Sequence, residues 1–260
     1  MIAHFRPVPY DDLPEKGLRG PAGNRATGIL RLIALIFMFV DHSGKMLFGN
    51  MYEMRALGRI AFPLYVWCMI MGLSRTRSVP KYMLRLLVTG LLSQPLYVVA
   101  LNHTWTEPNI FLTLILGLGV LWGIREKKWY SHLWAPVLGI LLAGILHVDY
   151  GWKGIMLFIC LYAVRDSRPG IAAVMISFLL FWGTFYGATS SLFGIALDWN
   201  LPPDWITTPM KSFFRLETFG LLALPFILLR FRKDLRLPTW LGYALYPAHL
   251  LLLWLLETVC

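Results

Sequence analysis

Asp41 and His42 stand side by side where a long apolar run ends, in Met38-Phe39-Val40-Asp41-His42-Ser43-Gly44. An imidazole titrates near neutrality, so it can take a proton from an attacking amine or hydroxyl, or carry an acyl group itself. Neighbours on a helix point about 100° apart, so Asp41 orients His42 directly only if the helix stops there. Asp149 and Glu217 are the other acids placed to act as that partner. Further polar residues lie inside or at the ends of apolar runs: Arg59, Gln94 before Pro95, Asn109, Thr113, Asp149-Tyr150, Arg215 and His249. In lipid an ionisable side chain costs about 2.5–3.5 kcal/mol on insertion scales, so each needs a partner or a purpose.

Each of these residues also has a plainer reading. Asp41-His42 could be a helix end meeting water, and Arg59 an anchor snorkelling to the interface. Gln94 could satisfy backbone freed by Pro95, His249 could be a hydrogen-bonded core residue, and Gly183-xxx-Gly187 reads as helix packing. Arg215 and Glu217, two apart, do not share a helical face, so they are expected to pair with other helices. No glycine-rich phosphate loop, GxSxG elbow or HExxH motif occurs, so the nucleotide and hydrolase chemistry of soluble enzymes is unsupported. Cys68, Cys160 and Cys260 have neither zinc spacing nor the pattern of a disulfide framework, and no metal is expected.

The elements that must position these residues are membrane helices. Apolar residues make up 57% of the 260 and charged residues 15%, against roughly 25% charged in an average soluble domain. That excludes disorder and speaks against an ordinary soluble enzyme. A formal net charge of +10 would suggest nucleic acid in a soluble chain. Here the cations cluster between apolar runs and set topology, so no nucleic-acid partner is expected. Hydrocarbon takes about 20 apolar residues to cross as a helix. About nine stretches qualify, near 29–40 (extending to about 48), 57–73, 82–101, 109–124, 132–147, 151–164, 170–193, 212–229 and 239–257. The fold expected is all-α: a polytopic transmembrane bundle over 29–260 after a polar tail, 1–28, that does not resemble a signal peptide. A longer polar loop is expected near 194–211.

Lys and Arg concentrate in every second connection: Arg6, Lys16, Arg19 and Arg25 in the tail, then Arg75, Arg77, Lys81 and Arg85, then Arg125, Lys127 and Lys128, then Arg165 and Arg168, then Arg230, Arg232, Lys233 and Arg236. The intervening connections hold fewer: Lys45, Arg55 and Arg59, then none, then Lys153, then Lys211 and Arg215. This alternation places the N-terminus in the cytosol and the C-terminus outside. The intramembrane polar residues then collect in the outer half, as a pocket opening outward.

The motifs carry further. The string from Leu30 through Phe39-Val40-Asp41-His42-Ser43-Gly44 resembles the first span of the TraX family, the conjugal-transfer pilin acetylases. The likeness continues in Gly58-Arg59-Ile60-Ala61-Phe62-Pro63-Leu64-Tyr65, Tyr82-Met83-Leu84-Arg85-Leu86-Leu87, Ser93-Gln94-Pro95, Asn109-Ile110-Phe111-Leu112-Thr113-Leu114, Asp149-Tyr150-Gly151 and Leu245-Tyr246-Pro247-Ala248-His249-Leu250. These stretches keep the family's order across the whole membrane domain; the tail has no counterpart in it.

The resemblance implies an acyltransferase of the bacterial inner membrane, moving acetyl from acetyl-CoA to an amine or hydroxyl beyond the membrane. The acceptor would be a pilin N-terminus or, since members occur away from conjugation, another acceptor such as a cell-envelope glycan. His42 becomes the catalytic base or transient acetyl carrier, with Asp41 beside it. Arg59, Gln94, Asn109, Thr113, Asp149, Tyr150 and His249 become pocket residues. Arg75, Arg77, Lys81 and Arg85 are candidates to hold the phosphates of acetyl-CoA, beside the reading that they only set topology. The competing class is a proton-coupled transporter or flippase with His42 and Asp149 as relay groups; against it stands the lack of a visible repeat. A third class is a structural subunit of a secretion or conjugation complex, in which changing His42 leaves function intact.

Overall fold

The structure, a computed structural model, describes residues 8–9, 21–200, 203–235 and 238–259. Cys260 and most of the 1–28 tail, with Arg6, Lys16, Arg19 and also Arg236, lie outside the described residues. Among those described, three helical stretches are long and apolar enough to cross a membrane. They are α1 (Thr27–Met46), the nearly continuous pair α2 (Tyr52–Gly58) and α3 (Ala61–Arg75), and α4 (Val79–Leu101). After them come α5 (Ile110–Glu126), α6 (Ser131–Ile145), α7 (Gly151–Ala163) and α8 (Arg168–Gly183). A short helix α9 (Asp204–Phe213) leads to a 3₁₀ helix, Leu216–Ala223, continued by α10 (Leu224–Leu228), and α11 (Thr239–Val259) follows.

Local chemistry explains the helix ends. Ser78 caps α4 by accepting from the Lys81 amide, and Ser167 caps α8 by accepting from Gly170, each with a proline in the first turn. Asn109 caps α5 by accepting from Phe111. Asn102 and Lys127 end α4 and α5 in the left-handed conformation.

α3 is the central element. Leu64, Val66, Trp67, Ile70, Met71 and Leu73 are all essentially without exposure, so it is apolar all round and buried all round. The segment before α1 joins this core: Asn24 is fully buried, its Nδ2 donates to Phe226 O and its carbonyl accepts from Trp67 Nε1. Packed structure therefore begins at residues the sequence places in the polar tail. The opposite situation holds at the periphery. α4 turns Leu84, Leu87, Leu91 and Leu92 outward, and α6 turns Leu133, Val137 and Leu141 outward. Exposed apolar faces of this extent suit lipid as solvent.

All nine apolar stretches coincide with helical structure, with three differences. The 212–229 stretch is a 3₁₀ helix running into α10 rather than one α-helix. α7 has thirteen residues, about 20 Å of rise, less than the ~30 Å of a hydrocarbon core. α8 stops at Gly183, so Gly187 lies beyond it and faces open space, while a Cβ at Gly183 would overlap Thr218. The packing there comes from one glycine, not a GxxxG pair.

The 194–211 loop is also more ordered than its polarity suggests. Ser191–Leu192 and Ile195–Ala196 pair as β2 and β3, after β1 (Val8–Pro9), which pairs with β4 (Lys233–Asp234). The turn residues Phe193 and Gly194 both have positive φ, as a two-residue hairpin requires. α9 then buries none of its residues and exposes Trp205, Ile206, Met210 and Phe213, the signature of a helix lying on an interface.

Candidate functional site

The α1 C-terminus, α2, the α4–α5 turn and the α6–α7 turn meet at one end of the bundle around a cavity of about 150 Å³. Its walls include Asp41, His42, Lys45, Arg55, Arg59, His103, Asp149 and Tyr150. The groups of basic residues near 75–85, 125–128, 165–168 and 230–233 occupy the connections at the other ends of these helices.

His42 Nδ1 lies 2.8 Å from His249 Nε2, and the two rings stack with centroids 5.0 Å apart. His249 Nδ1 lies 3.1 Å from Leu245 O. A carbonyl only accepts, so His249 Nδ1 carries the proton. In the neutral ring His249 Nε2 is then the acceptor, and His42 Nδ1 must donate to it. That leaves the His42 Nε2 lone pair unshared by this chain of bonds, on a ring that lines the cavity. The tautomers follow from the hydrogen-bond network.

Asp41 has a different role from the one its sequence position suggests. Its Oδ1 accepts from Arg59 Nη2 at 2.8 Å and its Oδ2 from Arg55 Nη1 at 3.2 Å. Arg59 Nη1 reaches Glu217 Oε1 at 3.0 Å, so one guanidinium bridges two acids from different elements. Both carboxylate oxygens of Asp41 are thus committed to arginines, and the orienting partner of His42 is a histidine. Glu217 pairs across helices as its offset from Arg215 predicts. A Cβ at Gly58 would overlap Asp41, so α1 and α2 can approach this closely only with glycine there.

Arg59, Asp149 and Tyr150 line the cavity, and Tyr150 stacks on Phe62 with centroids 3.8 Å apart. His249 supports the site from behind. Gln94, Asn109 and Thr113 are not among the lining residues. Gln94 donates to Glu107 O and accepts from the Asn109 amide, while Asn109 caps α5 and donates to Gly90 O. These two latch the α4–α5 turn rather than face the cavity. Thr113 is fully buried, with its methyl facing Gly154.

Of the four basic candidates, Arg75 donates to Arg25 O and Thr27 Oγ1, tying α3 to the start of α1. Arg77, Lys81 and Arg85 are exposed at the end remote from His42. Lys45 and Arg55, which the sequence gives only as cations of an outer connection, also line the cavity, as does His103. Lys45 Nζ donates to His103 Nε2 at 2.8 Å, and His103 Nδ1 in turn lies 3.1 Å from Glu107 Oε2. Burial and the Lys45 ammonium hold His103 below its ordinary value. The Thr104 amide, followed by His103, holds the Glu107 carboxyl below its own. A sequence signal existed: Lys45 is three residues past His42, hence on the same helix face, and His103 and Glu107 are four apart. Among the described residues no cluster of three or more His, Cys, Asp or Glu could hold a metal ion.

The family model described as TraX protein matches residues 26–257. The chain belongs to the TraX family. It is 28% identical over 158 residues to Protein TraX of Escherichia coli K12, covering 56% of this chain and 60% of that one. It is 29% identical over 136 residues to a probable fimbrial assembly protein, FimC of serogroup H1, from Dichelobacter nodosus, covering 47% and 55%. An uncharacterised protein of Rickettsia prowazekii is 32% identical over 149 residues, covering 55% and 57%. The chain thus spans between 55% and 60% of the length of these relatives. No solved structure matches.

Proposed function

We propose that this protein is a multi-pass acetyltransferase of a bacterial inner membrane. It moves acetyl from acetyl-CoA to an amine or hydroxyl on the outer side, such as the N-terminus of a pilin or a cell-envelope glycan. One observation carries the reading: the histidine relay leaves a base, His42 Nε2, unshared at the wall of a polar cavity. The topology is nine crossings with a cytosolic N-terminus and an outer C-terminus. Supporting it, the basic loops and the cavity lie at opposite ends of the bundle, as positive-inside residues and an outward pocket should. The names of a conjugal and a fimbrial relative agree with a pilus-related acceptor.

In this reaction the acceptor nitrogen or oxygen attacks the thioester carbonyl while His42 Nε2 takes its proton. The C–S bond breaks, the new C–N or C–O bond remains, and His42 returns the proton to the departing sulfur. The relay supports the charge that appears on His42, because His249 Nε2 accepts from Nδ1–H throughout. Lys45 and Arg55, on the same wall, supply cationic donors for the carbonyl oxygen as it becomes an oxyanion. Surrounding helices limit water and so hydrolysis. Positioned general-base catalysis of this kind contributes about 10²- to 10⁴-fold.

The test is transfer of labelled acetyl from acetyl-CoA into membrane proteins and envelope glycans, in membranes holding either the intact chain or His42→Ala at equal levels. Label transferred by the intact chain and lost in the variant is the expected result. Equal transfer by both removes His42 from the reaction, and absence of both transfer and acetyl-CoA binding sinks the enzyme.

A further inference from the structure

A second cavity, of about 90 Å³, lies against the first. Met38, Tyr65, Ile110 and Tyr246 line both, so these four residues form the wall the two share. The second chamber differs in character. Apart from Arg31 and the tyrosine hydroxyls its walls are apolar, with Met69, Leu86, Phe111 and Leu114 among them. It lies on the side of the first cavity nearer the basic end, between α1, α3, α4, α5 and α11.

α1 connects the two. Arg31, Met38 and His42 are separated by seven and then four positions, so they share one helix face. Eleven positions at 1.5 Å each put His42 about 16 Å along the axis from Arg31. One face of one helix therefore runs from a cation, past a flexible methionine in the dividing wall, to the unshared imidazole nitrogen. The Arg31 side chain is exposed at the start of that line. An acetyl group alone has no use for such a path. A thin arm with an anionic head at one end and a thioester at the other does.

We infer that the second chamber is the binding site for the donor's pantetheine arm, with Arg31 holding its phosphate end and Met38, Tyr65 and Tyr246 as the gate through which the thioester reaches His42. This rests on the acetyltransferase reading and deepens it. The anion anchor is thus Arg31, which lines the chamber, rather than Arg75, which does not and whose Nη1 and Nη2 donate to Thr27 Oγ1 and Arg25 O. Methionine is suited to the gate, because an unbranched side chain changes rotamer without moving the helix.

The chamber offers an unusually clean test. Gly242 of α11 lines it, and a Cβ there would meet nothing within 4 Å. Gly242→Leu therefore adds bulk at the chamber's wall without displacing backbone. Purified protein in detergent is titrated with labelled acetyl-CoA and with acetyl-pantetheine, which lacks the phosphates. The intact chain is expected to bind both ligands. Gly242→Leu is expected to weaken both ligands about tenfold or more. Arg31→Gln is expected to weaken acetyl-CoA by about tenfold to a hundredfold, the scale of a lost charge-assisted contact, and to leave acetyl-pantetheine unchanged. If Gly242→Leu does not fold, the ratio of the two ligands in Arg31→Gln decides alone. Acetyl-CoA bound equally by the intact chain, Gly242→Leu and Arg31→Gln overturns the chamber and leaves the enzyme standing. No acetyl-CoA binding by the intact chain overturns both.

Discussion

Two histidine relays border the same cavity and end differently. On one wall His42 leans on His249, which leans on the Leu245 carbonyl. One turn further along α1, Lys45 donates to His103, which meets the Glu107 carboxylate. The first ends in a neutral acceptor and leaves a lone pair free at its open end. The second has that lone pair taken by an ammonium, so it holds a cation in place and offers no base. Residue type alone does not set a histidine's job. The group at each end of its relay does.

The largest effect expected is on His42. Its replacement by Ala should cost about 10²- to 10⁴-fold in acetyl transfer, measured at equal levels of folded protein. Similar transfer by this variant and by His103→Gln would erase the distinction between the relays.

Next comes Asp41→Ala. It would leave Arg59 and Arg55 without the anion they share, and stripping one partner from a buried ion pair costs about 3–5 kcal/mol. The readout is thermal unfolding in detergent; Asp41→Asn, which keeps an acceptor oxygen, should lose less. A stable Asp41→Ala that has lost transfer would instead make Asp41 part of the chemistry.

A smaller loss is expected from His249→Ala. His42 Nδ1 would lose its acceptor, a cost of about 1–3 kcal/mol, seen as slower transfer with unchanged acetyl-CoA binding. His249→Gln, which restores an acceptor oxygen, should recover part of the rate.

The smallest effect belongs to the second relay and shows as pH dependence. His103 binds its proton less readily in the folded protein than in the unfolded chain. As pH falls below the ordinary imidazole value of about 6.5, the unfolded chain takes up that proton first, so stability is lost as pH falls towards the folded value. His103→Gln should flatten this part of the stability–pH curve. An unchanged curve would mean that the Lys45 contact does not hold in solution.

Much of the fold could be read from the sequence because lipid imposes one rule along the whole chain. Apolar stretches are helices, and cations gather at one end of them. The rule has no term for helix type, so the 3₁₀ path of Leu216–Ala223 was invisible, as was α9, whose apolar residues are diluted by Pro203, Asp204 and two threonines. The site was legible as a set of residues but not as a set of pairs. Asp41 and His42 attract attention as neighbours, yet the helix sends one to α2 and the other to α11. His249 and Glu217 lie more than a hundred residues away in sequence, and only packing brings them in. Gln94 and Asn109 looked like pocket residues because a latch at a helix end uses the same polar side chains as a site does.

The most direct test of the account compares acetyl transfer in His42→Ala, His249→Ala and the double variant at equal protein levels. If the two histidines act as one unit, with His249 working only through His42, the double variant should be no slower than His42→Ala alone. Losses that multiply would show that His249 acts independently, and would contradict the relay on which the functional reading rests.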